Sequence, residues 1–217
     1  MKDRPETKKG GSTRQKIVLS AIRLAAAHGF AEASFQMIAD DIGLSQSAVM
    51  YHFPDKNALF EELIRTIIRH NHEVVSELME GAHDSGHRLL KHCLGNVLWA
   101  LRYRSQDAQI LILLYYMAGR GREFSELFTQ MIAAGRERIL AHLLAGSAEG
   151  LFRLKDEPAA VAEILQDGLF GAMLYAASAP EGSVATDRLE KKWKDLIKAL
   201  TGWRPDGRNI RTEAPGL

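Results

Sequence analysis

The chain has 217 residues, of which 46% are hydrophobic and 25% charged, and its net charge is +1. This is the composition of a globular protein with a buried core. Cys93 is the only cysteine, which excludes an internal disulfide. The longest apolar run, Ile110 to Ala118, is far shorter than the ~20 residues that cross a bilayer, and no signal peptide is recognisable. We therefore expect a cytoplasmic protein without a membrane partner.

Residues 1–12 are polar and rich in Pro and Gly, and we expect them to form a disordered N-terminal arm. The basic excess of the first 56 residues lies mostly between Lys2 and Lys16, so this arm either contacts phosphates or is simply a solvated terminus. A first helix is predicted to start at Ser12 or Thr13 and to end near His28.

Residues 34–56 have the pattern of a helix–turn–helix motif. Two helices are predicted, one over Phe35–Ile42 and one over Gln46–His52, each preceded by a serine that can cap it. The small side chain of Ala39 permits a close helix crossing, and Gly43 supplies the left-handed backbone of the turn. Val49 is predicted to fill the angle between the two helices. We expect this motif to enter a DNA groove.

The remaining chain is predicted to form further helices. Asp55 is predicted to cap a long fourth helix, and Gly81 and Gly86 to separate it from a fifth. The run Ile110–Met117 is compatible with a strand, but without a partner strand we expect a helix that is buried all round. A seventh helix is predicted to end at Gly150, an eighth to open with Asp156 and Pro158, and a ninth to reach Leu200.

The predicted fold class is therefore all-α, with about nine helices. We expect a three-helix DNA-binding domain over residues 13–57, a C-terminal helical bundle over residues 58–201, and a flexible tail over residues 202–217.

The stretch from Arg14 to Phe60 resembles the DNA-binding domain of the tetracycline-repressor (TetR) family of bacterial regulators. The resemblance is carried by Ile17, Ala21, Gly29-Phe30, Ile38-Ala39, Gly43-Leu44-Ser45, Tyr51-His52-Phe53, Lys56 and Leu59-Phe60. It implies a homodimer that binds a double-stranded operator, and a C-terminal bundle that binds a small, largely apolar effector. Members usually carry Tyr at the position of Met50, so one phosphate contact is expected to be missing here.

Within this motif, short polar or small side chains at the start of the second helix can reach base edges. Gln46 can pair with adenine, and Ala48 can meet a thymine methyl group. Each of these side chains has a structural alternative as a cap, a solvated position or a packing residue. The predicted DNA-contacting residues are Ser34, Ser45, Gln46, Ser47, Ala48, Tyr51, His52 and Lys56.

An effector pocket is expected among helices five to eight, lined by apolar and aromatic residues with a few polar ones. The candidates are His92, Asn96, Trp99, Tyr103, Tyr116, Met117, Phe128, Met131 and Tyr175, although such aromatic stripes are more often core. Helices eight and nine are the predicted dimer surface, where glycines permit close approach and a tryptophan can anchor the contact. The candidates there are Gly168, Gly171, Leu189, Trp193 and Leu196.

Two alternatives stay open. The histidines between His70 and His87, with His72, Glu73 and His83, could form the metal site of a helical enzyme, although glycines interrupt the helix there. The chain could also be a helical ligand-binding protein without DNA binding. Since it lacks a phosphate-binding GxxxxGK[ST] loop and a GxSxG nucleophile elbow, we favour a non-enzyme without metal or cofactor.

Overall fold

The computed structural model describes residues 8–180 and 182–205, with side chains from residue 13 onward. This part of the chain is all-α, as predicted, and contains no strand. No helix in it is both long and apolar enough to cross a membrane. Its nine helices are α1 (Lys8–His28), α2 (Phe35–Ile42), α3 (Gln46–His52), α4 (Lys56–Met79), α5 (Ser85–Arg102), α6 (Asp107–Ala118), α7 (Arg122–Ala148), α8 (Pro158–Ser178) and α9 (Thr186–Thr201).

The chain divides into two compact units. The first comprises Met1–Asn71 and Tyr103–Thr129, and the second comprises His72–Arg102 and Gln130–Leu217. Helices α4 and α7 contribute residues to both. The boundary predicted at residue 57 therefore marks the end of the helix–turn–helix motif, whereas the unit that contains this motif also includes α6 and the first part of α4.

In the first unit, α1 packs against α2 and α6. The apolar stripe of α1 is buried as its helical spacing predicts, with Ile17 and Ala21 inside. Phe60 on α4 is fully buried, and its ring centroid lies 4.7 Å from that of Phe30 and 5.4 Å from that of Phe124. This aromatic contact fixes the chain that follows α3 to the rest of the unit.

In the second unit, α5 packs against α8 and α9. Leu89 and Val97 of α5, Leu165 of α8 and Ile197 of α9 are all fully buried. Burial of four such side chains contributes roughly 6–12 kcal/mol at about 1.5–3 kcal/mol each before conformational entropy is subtracted. Tertiary packing rather than helix propensity therefore stabilises these helices.

The expected disorder of residues 1–12 is wrong for residues 8–12, because α1 begins at Lys8. The glycines at positions 10 and 11 cost only about 1 kcal/mol each in a helix. The buried stripe that starts at Ile17 anchors the helix, so its N-terminal extension needs little further energy. Residues 1–7 lie outside the described residues.

The expected flexible tail is wrong at its start. Trp203 is only 1% exposed, and its ring stands edge-on to His87 with the centroids 5.0 Å apart. Gly86, predicted to break a helix, lies within α5 and leaves room for this ring, since a Cβ there would be 2.1 Å from Trp203 Nε1. The backbone of Arg153 also donates to the Thr201 carbonyl at 2.7 Å. Residues 206–217 lie outside the described part.

Two further expectations need correction. Helix α6 is not buried all round, because Tyr115 and Tyr116 are both more than half exposed. Their hydroxyls make exposure inexpensive, so only one side of α6 needs to be covered. Helix α8 begins at Pro158 with Glu157 rather than Asp156 in the capping position, and the Glu157 side chain makes no capping hydrogen bond. Proline suits the first helical position, since the N–H that it lacks would have no partner within the helix and its fixed φ already matches helical geometry.

Candidate nucleic-acid interface and ligand region

The turn between α2 and α3 is built as its sequence predicts. Gly43 has φ +66°, and the Leu44 N–H donates to the Ala39 carbonyl at 2.9 Å, which closes the end of α2. The Ser34 hydroxyl accepts from the Met37 N–H at 3.1 Å, and the Ser45 hydroxyl accepts from the Ala48 N–H at 3.2 Å. Both serines are therefore N-caps, which fixes where each helix starts.

The angle between the two helices is fixed by small and branched apolar side chains. Ala39 and Val49 are both completely buried, as is Ile38 one position before Ala39. Helices α2 and α3 pack against each other here. Val49 thus fills the helix angle as predicted, and its exact volume holds α3 in place.

The opposite side of α3 is open to solvent. Gln46 and Ser47 are exposed at its N-terminal end, and Ala48 is half-buried beside them. Tyr51 is 75% exposed, with its ring edge-on to that of the half-buried His52 at 5.4 Å. Polar tips and one aromatic ring on an exposed helix face suit contacts to base edges and phosphates. Met50 is 46% exposed on the same helix.

Two arginines of α1 are occupied by carboxylates that the sequence did not indicate. Arg14 Nη1 lies 2.7 Å from Glu62 Oε2, and its guanidinium lies over the Phe53 ring at 4.8 Å. Arg23 Nη2 lies 2.6 Å from Asp41 Oδ2, which also accepts from the Ser20 hydroxyl. These pairs attach α1 to α4 and to α2.

Because both arginines are paired, fewer cations are free for phosphate than the residue count suggests. Lys16 is exposed and has no charged partner among the described residues. The side chains of residues 1–12 are not described, so the predicted contact between the N-terminal arm and phosphates stays a prediction.

Lys56 has a structural role that the sequence did not predict. Its Nζ donates to the Ala31 carbonyl at 2.7 Å and lies 3.5 Å from the Phe30 carbonyl. It also lies 5.8 Å from the Phe30 ring centroid. An ammonium has three donors, so these two contacts leave at least one N–H for a phosphate. Lys56 therefore ties the connector after α1 to the start of α4, and its phosphate contact stays a prediction.

The predicted effector residues are divided between the two compact units. Tyr103, Tyr116, Met117 and Phe128 belong to the first unit, and the remaining five belong to the second. Tyr103 lines a groove of about 400 Å³ in the first unit, together with His70, Asp107, Arg23, Leu19 and Ile22. His70 Nδ1 lies 2.7 Å from Asp107 Oδ2 there. Spacing along a helix shows which side chains share a face but not which helices that face meets.

In the second unit, His92 and Asn96 are buried one turn apart on α5. Asn96 Nδ2 donates to the His92 carbonyl at 2.8 Å. The His92 ring is 4% exposed, lies 5.5 Å from the His142 ring between centroids, and its Nδ1 has no hydrogen-bond partner among the described residues. Burial, together with the charges of His142, Arg138 and His72, lowers the pKa of His92 to about 3. Burial likewise lowers the pKa of both His72 and His142.

The buried His92 and the half-buried His72 and His142 make the stability of the protein pH-dependent. Their folded pKa lies below the ordinary value of 6.5, so below pH 6.5 the unfolded chain binds more protons than the folded chain. Stability is therefore full above pH 6.5 and falls as the pH drops toward 3. Between pH 7 and pH 5, His92 alone should cost roughly 2 kcal/mol of the free energy of unfolding. Urea titrations at several pH values measure this loss.

The matched variants for this measurement are His92→Gln and His28→Gln. The first should flatten the dependence on pH, because glutamine does not titrate. The second replaces an exposed histidine at the end of α1 and should leave the dependence unchanged. Equal slopes for the wild type and His92→Gln would contradict the assignment.

The predicted dimer residues differ in accessibility. Gly168 and Gly171 on α8 are open, with no atom within 4 Å of a Cβ placed at either. They border a groove of about 380 Å³ that Tyr175 and Leu189 also line. Trp193, in contrast, is 1% exposed within its own chain. The expectation that Trp193 anchors a dimer is therefore wrong, since its apolar ring is already covered by its own unit.

The histidine-rich segment is not arranged as a metal site. His87 Nδ1 lies 2.9 Å from Asp84 Oδ1, and its ring packs on Trp203. The His83 ring stands edge-on to that of His87 at 5.9 Å. Among the described residues, no group of three or more His, Cys, Asp or Glu side chains could hold a metal ion. The His87 ring therefore packs on Trp203 and bonds to Asp84, whose carboxylate also accepts from the His87 N–H at the start of α5.

Comparison with known proteins agrees with this geometry. Residues 17–63 match the family model of bacterial regulatory proteins, tetR family. Over 64 residues, the chain is 38% identical to the HTH-type transcriptional repressor AcnR of Corynebacterium diphtheriae, a match that covers 30% of this chain and 34% of the repressor. The chain thus aligns with about a third of that curated relative.

Solved structures extend the fold match beyond the N-terminal domain. A TetR transcription regulator from Haloarcula marismortui is similar with a TM-score of 0.77 and 19% identity, over 88% of this chain and 99% of that one. A transcriptional regulator from Saccharomonospora viridis in complex with choline is similar with a TM-score of 0.73 and 19% identity, over 88% of this chain and 98% of that one. Residues 17–63 thus match the DNA-binding domain of the tetR family of bacterial regulatory proteins, and the fold of the chain is similar to that of a solved TetR regulator.

Proposed function

We propose that this protein is a DNA-binding transcriptional repressor. It binds a near-palindromic operator as a homodimer and leaves it when a small organic molecule binds. The observation that carries the proposal is the exposed face of α3, where Gln46, Ser47 and Tyr51 stand on a helix held rigidly by the Ser45 cap and the buried Val49. The relative from Corynebacterium diphtheriae is likewise a transcriptional repressor.

The contacts to DNA divide into two kinds. Gln46 and Ala48 read base edges in the major groove, whereas Ser47, Tyr51, His52 and Lys56 contact the backbone. Ser34 and Ser45 are caps first, and the helix N-termini that they define point N–H groups toward phosphates. We call the helix–turn–helix motif of one chain, residues 34–56, its reading head. Because Arg14 and Arg23 are already paired with carboxylates, a single reading head binds weakly. A dimer that contacts two half-sites compensates for this weakness.

The open face of α8, with Gly168 and Gly171, is the proposed dimer surface, and Leu189 of α9 lines the same groove. Leu196 of α9, which is half-buried, is included in the proposal. Its exposed apolar side chains include Ile164 and Tyr175. Effector binding is assigned to the second unit, and the choline complex of the relative from Saccharomonospora viridis is a precedent for a small ligand on this fold. Ligand binding shifts the population toward a spacing of the two reading heads that does not fit successive major grooves.

DNase footprinting with the full chain tests the DNA-binding function. We expect a protected, near-palindromic site in DNA upstream of the gene that encodes the protein or of its neighbours. If no fragment of this DNA is protected at low salt, where phosphate contacts are strongest, the proposal is wrong. Size-exclusion chromatography with light scattering should give the mass of a dimer under the same conditions.

Two substitutions separate base contacts from backbone contacts. Gln46→Ala should change the preferred base at one position of each half-site, by about 1–3 kcal/mol. Lys56→Ala should weaken binding equally for all sequences and reduce the slope of log affinity against log salt by about 1. If Lys56 only supports the Ala31 carbonyl, its replacement lowers stability but leaves this slope unchanged. Identical effects of both substitutions would contradict the assigned roles.

A further inference from the structure

We propose that the small molecule that binds the second unit carries a carboxylate, and that Arg138 is its charged partner with His72, His92 and His142 around it. The inference deepens the proposed function and rests on its assignment of ligand binding to this unit. We refer to these four residues as the basic cluster.

The basic cluster is assembled from three helices of one compact unit. His72 lies on α4, His92 on α5, and Arg138 and His142 on α7. The His92 and His142 rings are 5.5 Å apart between centroids. Arg138 is close enough for its charge to lower the pKa of all three histidines. The side chains therefore face a common region.

Buried polar atoms in this region lack partners. Among the described residues, neither His92 Nδ1 nor Arg138 Nε makes a hydrogen bond, although both atoms are buried. His92 is 4% exposed, so water at the molecular surface does not satisfy its ring. Buried donors and acceptors in folded proteins are nearly always satisfied, and an unpaired one indicates that a further group belongs there.

The charge of the cluster is also unbalanced. Arg136 lies two residues before Arg138 on α7. Its Nη2 lies 2.9 Å from Glu163 Oε1 and 3.3 Å from Asp167 Oδ1. Arg138 has no such ion pair in the described part of the chain, and burial lowers its pKa, with the charge of Glu137 acting in the opposite direction. A guanidinium stays protonated in proteins, so a partly buried, unpaired one favours an incoming anion.

The chemistry of the cluster selects a singly charged, planar anion. Within the basic cluster, Arg138 supplies the permanent positive charge, and its planar fork matches the two oxygens of a carboxylate. Arg88, whose charge also lowers the pKa of His142, is exposed, so water screens its charge. The neutral histidines contribute hydrogen bonds but no positive charge. A phosphate dianion would need a second positive charge, whereas a carboxylate needs only one. The same helices bury Leu89, Cys93, Ile139 and Leu143, so the remainder of the ligand should be apolar. These features point to an aliphatic or aromatic carboxylic acid.

The test compares carboxylates with their uncharged amides on the full chain. Octanoate and phenylacetate are titrated by calorimetry beside octanamide and phenylacetamide, and inorganic phosphate serves as a simple anion. We expect at least one carboxylate to bind while its amide and phosphate bind at least about tenfold more weakly. Equal binding of acid and amide, binding of phosphate alone, or no binding by either acid would overturn the proposal.

Matched arginine variants locate the site. Arg138→Gln should weaken carboxylate binding at least about tenfold, and Arg138→Lys should give an intermediate loss because it keeps the charge but not the fork. Arg136→Gln, on the same helix, should change affinity less than about twofold. Circular dichroism confirms that each variant is folded. Equal losses from Arg136→Gln and Arg138→Gln would overturn the assignment to the basic cluster.

Failure of this proposal and failure of the proposed function give different results. Carboxylate binding that does not release a footprinted operator would contradict the regulatory role but keep the site. An intact operator footprint that no carboxylate affects, with no binding by calorimetry, would remove the site but keep the repressor.

Discussion

Trp203→Ala is expected to lower the free energy of unfolding by about 3–5 kcal/mol, the range for removal of a fully buried aromatic side chain. The ring is 1% exposed, packs edge-on against His87, and occupies the space that Gly86 leaves beside α5. Its backbone N–H also donates to the Thr201 hydroxyl at 3.2 Å. Removing the ring leaves a cavity at the end of α9 that the rigid helices around it fill only in part. Urea denaturation measures the change, from the shift of the midpoint at constant slope.

The neighbouring exposed residue provides the control for this change. Arg204→Ala alters the next position of the same segment and should change stability by less than about 0.5 kcal/mol. The loss of stability for Trp203→Phe should lie between those for Trp203→Ala and Arg204→Ala, because phenylalanine retains most of the apolar volume. If Trp203→Ala is no more harmful than Arg204→Ala, the segment after α9 does not contribute to the core.

Val49→Asp should abolish operator binding and destabilise the helix–turn–helix motif by about 4 kcal/mol at pH 7. Val49 is completely buried between α2 and α3, and a carboxyl there must be protonated or remain charged without a partner. Protonating an aspartate of ordinary pKa at pH 7 already costs about 4 kcal/mol, before the lost apolar contacts are counted. The measurements are urea denaturation and a binding assay on the footprinted operator.

Met50→Asp is the matched control, since it places the same carboxylate on the adjacent, exposed position of α3. It should change the free energy of unfolding by less than about 0.5 kcal/mol, because water still solvates the charge. It should nevertheless weaken DNA binding by repelling phosphates, if this face of α3 meets the groove. A destabilisation of Met50→Asp equal to that of Val49→Asp would mean that burial does not explain the effect.

The helix–turn–helix motif was predictable because its determinants are local. Each cap bonds to an N–H three residues ahead, and the left-handed Gly43 closes α2 through the next residue, Leu44. Serine, glycine and valine at these spacings leave the backbone few alternatives. The order and bounds of the helices follow from the same kind of short-range pattern, and the family resemblance of residues 14–60 rests on the same residues.

Contacts between residues distant in the chain decided the rest. The sequence alone predicted Trp193 as an anchor of the dimer contact and the tail as loose, whereas the structure buries both Trp193 and Trp203 within their own chain. Hydrophobicity indicates that an aromatic ring will be covered, but not whether its own chain or a partner covers it. The engagement of Lys56 by Ala31 and the pairing of Arg14 with Glu62 likewise join residues 25 and 48 positions apart.

The ligand region shows most clearly the difference between features that local sequence predicts and features that depend on tertiary packing. Helical periodicity indicated that His92 and Asn96 share one face of α5, but His142 and Arg138 reach them from α7, far along the chain. Their lowered pKa values come from burial and from one another's charge, and neither exists until the helices pack. Sequence by itself determined the reading head, because short-range hydrogen bonds and sterics specify it. Tertiary packing decided where the buried charge lies, because desolvation depends on what surrounds a group and not on its neighbours along the chain.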